Sequence, residues 1–390
     1  MIFMMNETNK NQYQAQLFTN RLKKKYKELR KQMRKNRISS YRLYDRDIPE
    51  IPLSLDLYEF LPSDINNPIE AARFLSDQNA RLSANEAGLE ASIKERTYAV
   101  LYLYERPYQK EQNEEEEWLN LMAKVTADVL GIRENQVITK ARGHKNHQND
   151  NNHENIQYQK NNSFAIGGIT QESGQIFRLD LTSYLDTGLF FDHRPLRSKI
   201  RDTAAKKRVL NLFSYTGSFS VYAAQGNAAM VESVDLSNTY LNWAKENMKL
   251  NGFTDKKKYI YTRADCMRFL QGKALDSKAG KLSREEYYDL IILDPPTFSN
   301  SKKSLDVLDI NRDWPQLVKD CLNILSPGGK LYFSTNSERL KFDQTKIPTK
   351  TAAGLEFNCN EITEETIPLD FAGKKPHKVW EFILSKSEKL

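Results

Sequence analysis

The chain has 390 residues, of which 39% are hydrophobic and 28% are charged, and its formal net charge is +7. These values are typical of a globular protein with two or three domains, and they exclude a collagen, a coiled-coil rod and a wholly disordered chain. No apolar run approaches the roughly 18 residues that a membrane-spanning helix needs. The three cysteines lack CxxC spacing, which excludes a four-cysteine zinc site and a disulfide scaffold. We therefore expect a cytoplasmic protein without membrane or metal partners.

Residues 1–38 are predicted to form a basic helical arm. Apolar residues recur at the spacing of one helical stripe at Phe18, Leu22, Tyr26, Leu29 and Met33. Ten basic residues and one acidic residue lie between positions 21 and 37, so the rest of the chain sums to −2. Such a concentration favours contact with a polyanion over a helix that only packs on the body with a solvated basic face. The candidate contact residues on this arm are Arg21, Lys23, Lys24, Lys25, Arg30, Lys31 and Arg34.

Residues 39–180 are predicted to form a small α+β domain, with Lys140 and Arg142 as further candidate contacts. Strands are expected at residues 53–58, 98–103, 137–139, 164–166 and 176–179, and helices at residues 68–94 and 114–131. A loop near residues 143–160 is predicted to be disordered because it is polar and rich in Asn and His. Three of the five histidines lie there, but without a cysteine or fixed geometry they do not predict a metal site.

Residues 181–390 are predicted to form one α/β domain, because strands and helices alternate along it. The predicted strands are residues 208–213, 229–234, 259–261, 290–293 and 330–334, and the predicted helices are residues 218–225, 238–250 and 314–325. This βαβαβ recurrence predicts a doubly wound parallel sheet. In such sheets the ligand lies beyond the carboxyl ends of the strands, so the site is expected there.

Three of these strands each end in an acidic residue. Asp235, Asp265 and Asp294 are separated by 30 and 29 residues, about one βαβ unit each. A single aspartate after a strand often only caps the next helix. Three in register predict that the carboxylates share one cleft.

The first turn of the sheet discriminates between cofactors. FSYTGS, residues 213–218, contains one glycine, Gly217, where a dinucleotide site needs GxGxxG, and the chain has no GxxxxGK[ST] motif. A turn that keeps Phe213 and Tyr215 suits a nucleoside without phosphate, such as S-adenosylmethionine, whose sulfonium favours aromatic faces. Asp235 is then expected to accept hydrogen bonds from the ribose hydroxyls, and Asp265 from the adenine amino group.

The most specific short motif is DPPTF, residues 294–298. Pro295 and Pro296 fix the backbone after a buried acid and remove two N–H donors. Asp294 and the turn carbonyls then face the site as acceptors, and Phe298 offers a flat ring. We predict that these four residues hold a planar base beside the methyl donor and are the catalytic set.

Three long segments resemble a known family. They are YLDTGLFFDHRP (residues 184–195), LNLFSYTGS (residues 210–218) and DPPTFSNSK (residues 294–302), with shorter matches at residues 20–24 and 41–45. On these segments the chain resembles the RlmK half of the bacterial RlmKL enzymes, which are 23S ribosomal RNA guanine-N7 methyltransferases. The resemblance implies a class I methyltransferase domain with a Rossmann-like sheet, behind a small α+β domain that helps to hold RNA.

The resemblance also implies a reaction and its partners: methyl transfer from S-adenosylmethionine to guanine N7 of 23S ribosomal RNA, free or in a pre-ribosomal particle, and a second methyltransferase half that is separate or fused. Residues 191–194 would lie over the methionine end of the cofactor, with Arg194 meeting its carboxylate or, alternatively, pairing with Asp192. Lys302 becomes a further RNA contact. The predicted cofactor contacts are Asp192, Arg194, Asn211, Phe213, Tyr215, Gly217, Asp235, Ser237, Asp265, Cys266 and Asp294.

Two other functions stay open at this point. One is methylation of an exocyclic amine, guanine N2 or adenine N6, which suits the same acceptor motif. The other is a non-catalytic RNA-binding or ribosome-assembly module, which predicts no binding of S-adenosylmethionine. The intact acids at the three strand ends argue against the second.

Overall fold

The structure is a computed structural model that describes residues 7–106, 108, 110–142, 165–299 and 307–386. The chain divides into two compact units, Met1–Thr187 and Gly188–Leu390. The division falls a few residues after the boundary expected at 180/181, and the basic arm is part of the first unit. The predicted loop at residues 143–160 lies outside the described residues. Among the described helices, none combines the length and hydropathy needed to cross a bilayer.

The first unit is a small α+β domain. Its helices are α1 (Glu7–Lys35), α2 (Pro68–Ser83), α3 (Leu89–Glu95) and α4 (Gln112–Leu130). Its strands are β1 (Ser40–Asp45), β2 (Leu53–Glu59), β3 (Thr97–Tyr104), β4 (Val137–Arg142), β5 (Gly167–Glu172) and β6 (Gln175–Asp180). Strands β1 to β4 form one sheet in that order, and β5 and β6 pair as a hairpin.

Helix α1 packs its apolar stripe into the core of this unit. Phe18 and Leu22 are fully buried, and the ring of Phe18 meets Tyr44 edge-on at 4.9 Å between centroids. The same core receives Trp118 and Met122 from α4. Burial of this stripe leaves the basic faces of α1 outward, so the helix both packs on the body and presents its charge. Contact with RNA stays a prediction.

Local backbone geometry explains where this half differs from the sequence prediction. The segment 68–94 forms two helices because Asn85 and Gly88 adopt positive φ angles of 53° and 81° between them. The strand expected at 164–166 begins at Gly167, and Phe164 lies outside the described residues. Strand β1 was not predicted.

The second unit contains the predicted doubly wound sheet. Its helices are α5 (Arg194–Thr203), α6 (Ser218–Gln225), α7 (Asn238–Leu250), α8 (Cys266–Lys278), α9 (Ile310–Asn323) and α10 (Thr363–Thr366). Its strands are β7 (Arg208–Leu212), β8 (Met230–Asp235), β9 (Tyr259–Arg263), β10 (Tyr288–Leu293), β11 (Phe298–Ser299), β12 (Leu308–Asp309), β13 (Leu325–Thr335), β14 (Phe357–Glu361) and β15 (Lys378–Leu384).

The strand order of the large sheet is β14-β15-β13-β10-β7-β8-β9. Strands β13, β10, β7, β8 and β9 run parallel, and β15 runs antiparallel to both of its neighbours. Residues 290–293 of β10 are fully buried, as expected for a strand covered on both faces. The chain winds outward from β7 through β8 to β9, and then returns to β10 on the other side of β7. This reversal puts the topological switch point, where ligands bind in such sheets, between β7 and β10.

Candidate active site

The turn after β7 is strained and tightly held. Phe213 and Tyr215 have positive φ angles of 53° and 49°, a conformation that non-glycine residues rarely adopt and that clusters at functional sites. Gly217, with φ 75°, precedes α6, and a Cβ there would lie 2.7 Å from the Cβ of Ala244. Glycine is therefore required by both backbone angle and space.

Asp235, at the end of β8, organises this turn. Its Oδ2 accepts a hydrogen bond from the Tyr215 backbone N–H at 2.9 Å, and its Oδ1 accepts one from Ser237 N–H at 2.8 Å. Burial raises the pKa of the Asp235 carboxyl, although these backbone bonds act in the opposite direction. Ser237 in turn caps α7, where its hydroxyl oxygen accepts from Tyr240 N–H at 3.3 Å.

Aromatic rings line this end of the sheet. The Tyr215 ring lies 5.2 Å from Phe190 and meets Tyr240 edge-on at 4.6 Å. Phe190 is 43% exposed, which leaves an aromatic surface open beside the Tyr215 ring. A carboxylate can accept hydrogen bonds from a ribose diol, and aromatic rings attract a cationic sulfonium, so these groups suit S-adenosylmethionine. The turn offers no glycine-rich cradle for phosphate.

Three further predicted cofactor residues have hydrogen-bond partners within the second unit. Asp265 caps α8, where its Oδ1 accepts from Met267 N–H at 2.9 Å. The buried Cys266 Sγ accepts from Phe213 N–H at 3.3 Å, and burial raises the pKa of this thiol well above its usual range, so it is unreactive. Asn211 donates to Ser220 Oγ at 2.9 Å within a buried polar network. Their contact with the cofactor stays a prediction.

Asp294 follows β10 on the other side of the switch point. Its Oδ1 accepts a hydrogen bond from the Ser334 hydroxyl, and its Oδ2 lies 3.5 Å from His193 Nε2. Pro295 is buried and Pro296 is exposed. The Phe298 side chain is 60% exposed, a large apolar surface to leave in water. The four residues of the predicted catalytic set thus present one carboxylate and one open ring on a rigid turn.

The segment before α5 brings in residues that are distant in sequence. Arg194 Nη1 donates to the buried Asp370 Oδ1 at 2.9 Å, a partner that the sequence did not indicate. Asp192 Oδ2 accepts from His377 Nδ1 at 3.0 Å across 185 residues. His193 lies in the segment quoted for the resemblance, but sequence reasoning assigned it no role. No spacing pattern could have linked it to His377.

Seven of the ten predicted RNA contacts lie on α1. Lys23, Lys24, Arg30 and Lys31 of α1 are exposed, and Arg21, Lys25 and Arg34 are half-buried. Lys302 lies outside the described residues.

The other two predicted contacts are engaged within the first unit. Lys140 Nζ donates to the carbonyl oxygens of Tyr184 and Leu185 at 2.6 and 2.9 Å, and burial lowers its pKa to about 8. Arg142 pairs with Asp186 at 2.6 Å. Both side chains therefore already have partners within the first unit.

Comparison with known proteins identifies the family. Residues 144–361 match the family model of S-adenosylmethionine-dependent methyltransferases. The chain is 37% identical over 364 residues to "Ribosomal RNA large subunit methyltransferase K" of Neisseria meningitidis, covering 93% of this chain and 86% of that protein. It is 35% identical over 367 residues to "Ribosomal RNA large subunit methyltransferase K/L" of Magnetococcus marinus, but spans 42% of that protein. The chain therefore spans less than half of this longer relative.

Solved structures agree on the fold. A methyltransferase designated SMU.776, complexed with S-adenosylhomocysteine (SAH), superposes with a TM-score of 0.63 at 18% identity, over 95% of this chain and 81% of the other. A methyltransferase from Streptococcus mutans gives a TM-score of 0.62 over the same shares. The predicted α/β class I methyltransferase fold and cofactor are thus confirmed, and the chain belongs to the S-adenosylmethionine-dependent methyltransferase family.

Proposed function

We propose that this protein transfers a methyl group from S-adenosylmethionine to N7 of a guanine in 23S ribosomal RNA. The observation that carries the proposal is the turn at the switch point, where the Asp294 carboxylate and the exposed Phe298 ring flank two prolines. The printed names of the relatives support a ribosomal RNA substrate. The resemblance at residues 184–195 and 294–302 supports N7 as the target atom.

The chemistry at guanine N7 requires little beyond alignment. N7 carries a lone pair and no proton, so its attack on a methyl group needs no general base. S-adenosylmethionine supplies that methyl group on an electrophilic sulfonium. Holding the base in line can contribute about 7–11 kcal/mol in well-oriented intramolecular cases.

The DPPTF turn has the parts for this alignment. Phe298 stacks on the guanine, a contact worth roughly 1–3 kcal/mol per base in single-strand binders. Pro295 and Pro296 offer no N–H, so the turn presents acceptors to the base. Asp294 orients the base and stabilises the positive charge that develops on the ring as N7 is alkylated.

The cofactor residues act on the other side of the switch point. Asp235 accepts hydrogen bonds from the ribose hydroxyls and Asp265 one from the adenine amino group. Tyr215 packs against the nucleoside, and Asp192 and Arg194 hold the methionine end.

RNA is held, in this proposal, by a basic groove in the first unit, which is a cavity of about 360 Å³. Positions 23, 27, 30 and 34 of α1 share one helical face, so that Lys23, Lys27, Arg30 and Arg34 all line the cavity together with Lys94. Three acidic residues also line it, fewer than the five cations. The net positive charge favours phosphates, and we name this surface the α1 groove.

The test is methyl transfer from labelled S-adenosylmethionine to ribosomal RNA from a strain that lacks this protein. RNA from a strain that contains the protein is the control, because its target is already methylated. Nuclease digestion and mass spectrometry then map the modified atom. Label at guanine N7 of 23S RNA supports the proposal, and label at an exocyclic amine replaces it with the alternative that the same acceptors suit. A protein that binds RNA but does not bind labelled S-adenosylmethionine would instead be a non-catalytic assembly module.

The same substrate class suggests where the protein acts. Ribosomal RNA is made and assembled in the bacterial cytoplasm, so we infer a cytoplasmic site of action, on free 23S RNA or on a pre-ribosomal particle. The extra length of the longer relatives suggests a second methyltransferase half, which would be either a separate protein or fused to this chain.

A further inference from the structure

His193, which lies next to Asp294, is stacked on a second histidine, His377. The rings of His193 and His377 are 4.4 Å apart and nearly parallel, at 11°. Both side chains are buried. His377 is fixed at both nitrogens, because Nδ1 lies 3.0 Å from Asp192 Oδ2 and Nε2 lies 3.0 Å from Thr366 Oγ1. His377 is therefore a fixed platform under the ring of His193.

The surroundings of His193 determine which nitrogen carries its proton. Nε2 lies 3.5 Å from Asp294 Oδ2 and 3.8 Å from Asp192 Oδ2. A lone pair at Nε2 would face two carboxylate oxygens, so the favourable neutral tautomer has its N–H there. Burial lowers the pKa of the imidazole, against the opposite effect of the two carboxylates, and His377 and Arg197 also lower it. With its proton on Nε2, the ring directs that N–H at the two carboxylates.

The other nitrogen of His193 has a cost. Nδ1 is buried and has no hydrogen-bond partner among the described residues. A buried polar atom left unsatisfied costs about 1–3 kcal/mol, which an apolar ring in the same place would avoid. Stability alone therefore does not explain why an imidazole stands at this position. The contact of Nε2 with Asp294 offers an explanation.

We propose that His193 is a positioning residue for Asp294. The Ser334 hydroxyl donates to one oxygen of this carboxylate, and His193 Nε2 lies 3.5 Å from the other, where its N–H would restrain the group to one orientation. The inference rests on the proposed role of Asp294 in binding guanine. Without His193 one oxygen loses its donor, and a misplacement of about 1 Å at a reacting group can lower the rate about 100-fold.

The same atoms offer a competing explanation. The ligand atoms of Asp192, His193 and His377 lie within 4.8 Å of one another, which a bound metal ion could use. A metal at His193 Nε2 would displace the proton from that nitrogen. The protonation of Nε2 therefore separates the two explanations.

The first experiment compares two substitutions in the full chain. His193→Phe keeps the ring and its stacking but removes the donor, and His193→Gln keeps an N–H that can reach the carboxylate. We expect His193→Phe to lower kcat about 100-fold, with an unchanged or higher melting temperature. His193→Gln restores most of kcat. In an Asp294→Asn background, His193→Phe has no further effect, because coupled residues are not additive. A wild-type kcat in His193→Phe would overturn the proposal, as would a lower melting temperature in both variants.

The second experiment needs no substrate, so it stands even if the proposed reaction is wrong. The protein contains five histidines, and ¹⁵N-histidine labelling with the His193→Phe spectrum as reference identifies the His193 signals. We expect a neutral Nε2–H tautomer whose Nε2–H resonance moves when Asp294 is changed to Asn. A proton on Nδ1 alone, or a resonance that Asp294→Asn leaves in place, would overturn the inference. An Nε2 that gains its proton only after a chelator is added would assign the cluster to a metal.

Discussion

Removing the cations of the α1 groove should change how RNA binding responds to salt. Lys27, Arg30 and Arg34 line the cavity, and each phosphate contact on single-stranded RNA contributes about 0.7 to the slope of log K against log salt. Replacing all three by Ala should therefore lower the slope by about 2. The whole helix cannot be deleted for this purpose, because Phe18 and Leu22 belong to the core of the first unit.

The assay is RNA binding by the full chain across a KCl titration, with a fragment of 23S RNA. The matched control replaces Lys24, Lys31 and Lys35, which lose the same formal charge from α1 but are not among the residues that line the cavity. Lys24 Nζ already lies 4.0 Å from the Glu28 carboxylate, which reduces the expected contribution of Lys24 to phosphate binding further. The groove variant should lose more slope than the control. Equal losses would refute the groove and leave only an undirected effect of net charge.

Three further predictions concern the second unit. Asp294→Ala should abolish methyl transfer to ribosomal RNA and leave the circular dichroism spectrum unchanged; normal turnover would remove Asp294 from the site. Gly217→Ala should lower the free energy of unfolding in urea by about 1–3 kcal/mol, because the φ of 75° and the 2.7 Å approach to Ala244 both oppose a Cβ. The control is Gly272→Ala, at a position with open space, which should not lower it. Ribose hydroxyls donate to the ionised form of Asp235, and burial raises the pKa of this carboxyl. Affinity for S-adenosylmethionine should therefore fall on acidification at a pH above the usual aspartate range. Asp235→Asn should flatten that pH profile in calorimetry, and an unchanged profile would assign it to another group.

Local patterns in the sequence were enough to predict the five parallel strands of the second unit's sheet, but not the antiparallel edge strands β14 and β15. The helices at 218–225 and 238–250 have the predicted bounds, because apolar periodicity and a capping residue are encoded within one turn of chain. Asp235 and Asp294 were predicted at strand ends, and the strand order places Asp235 at the end of β8 and Asp294 after β10, the two neighbours of β7. Parallel topology made this possible, since the carboxyl ends of such strands meet at one edge.

The contacts around those acids depended on the tertiary structure. Ser334 bonds to Asp294 across 40 residues, and Arg194 reaches Asp370 across 176, distances at which no periodicity connects two side chains. Burial likewise raises the pKa of Asp235 and lowers the pKa of His193, and burial is a property of the packed chain. Short-range propensities therefore determined the elements and the residue types at their ends, whereas packing between distant segments decided which groups face one another and in which protonation state.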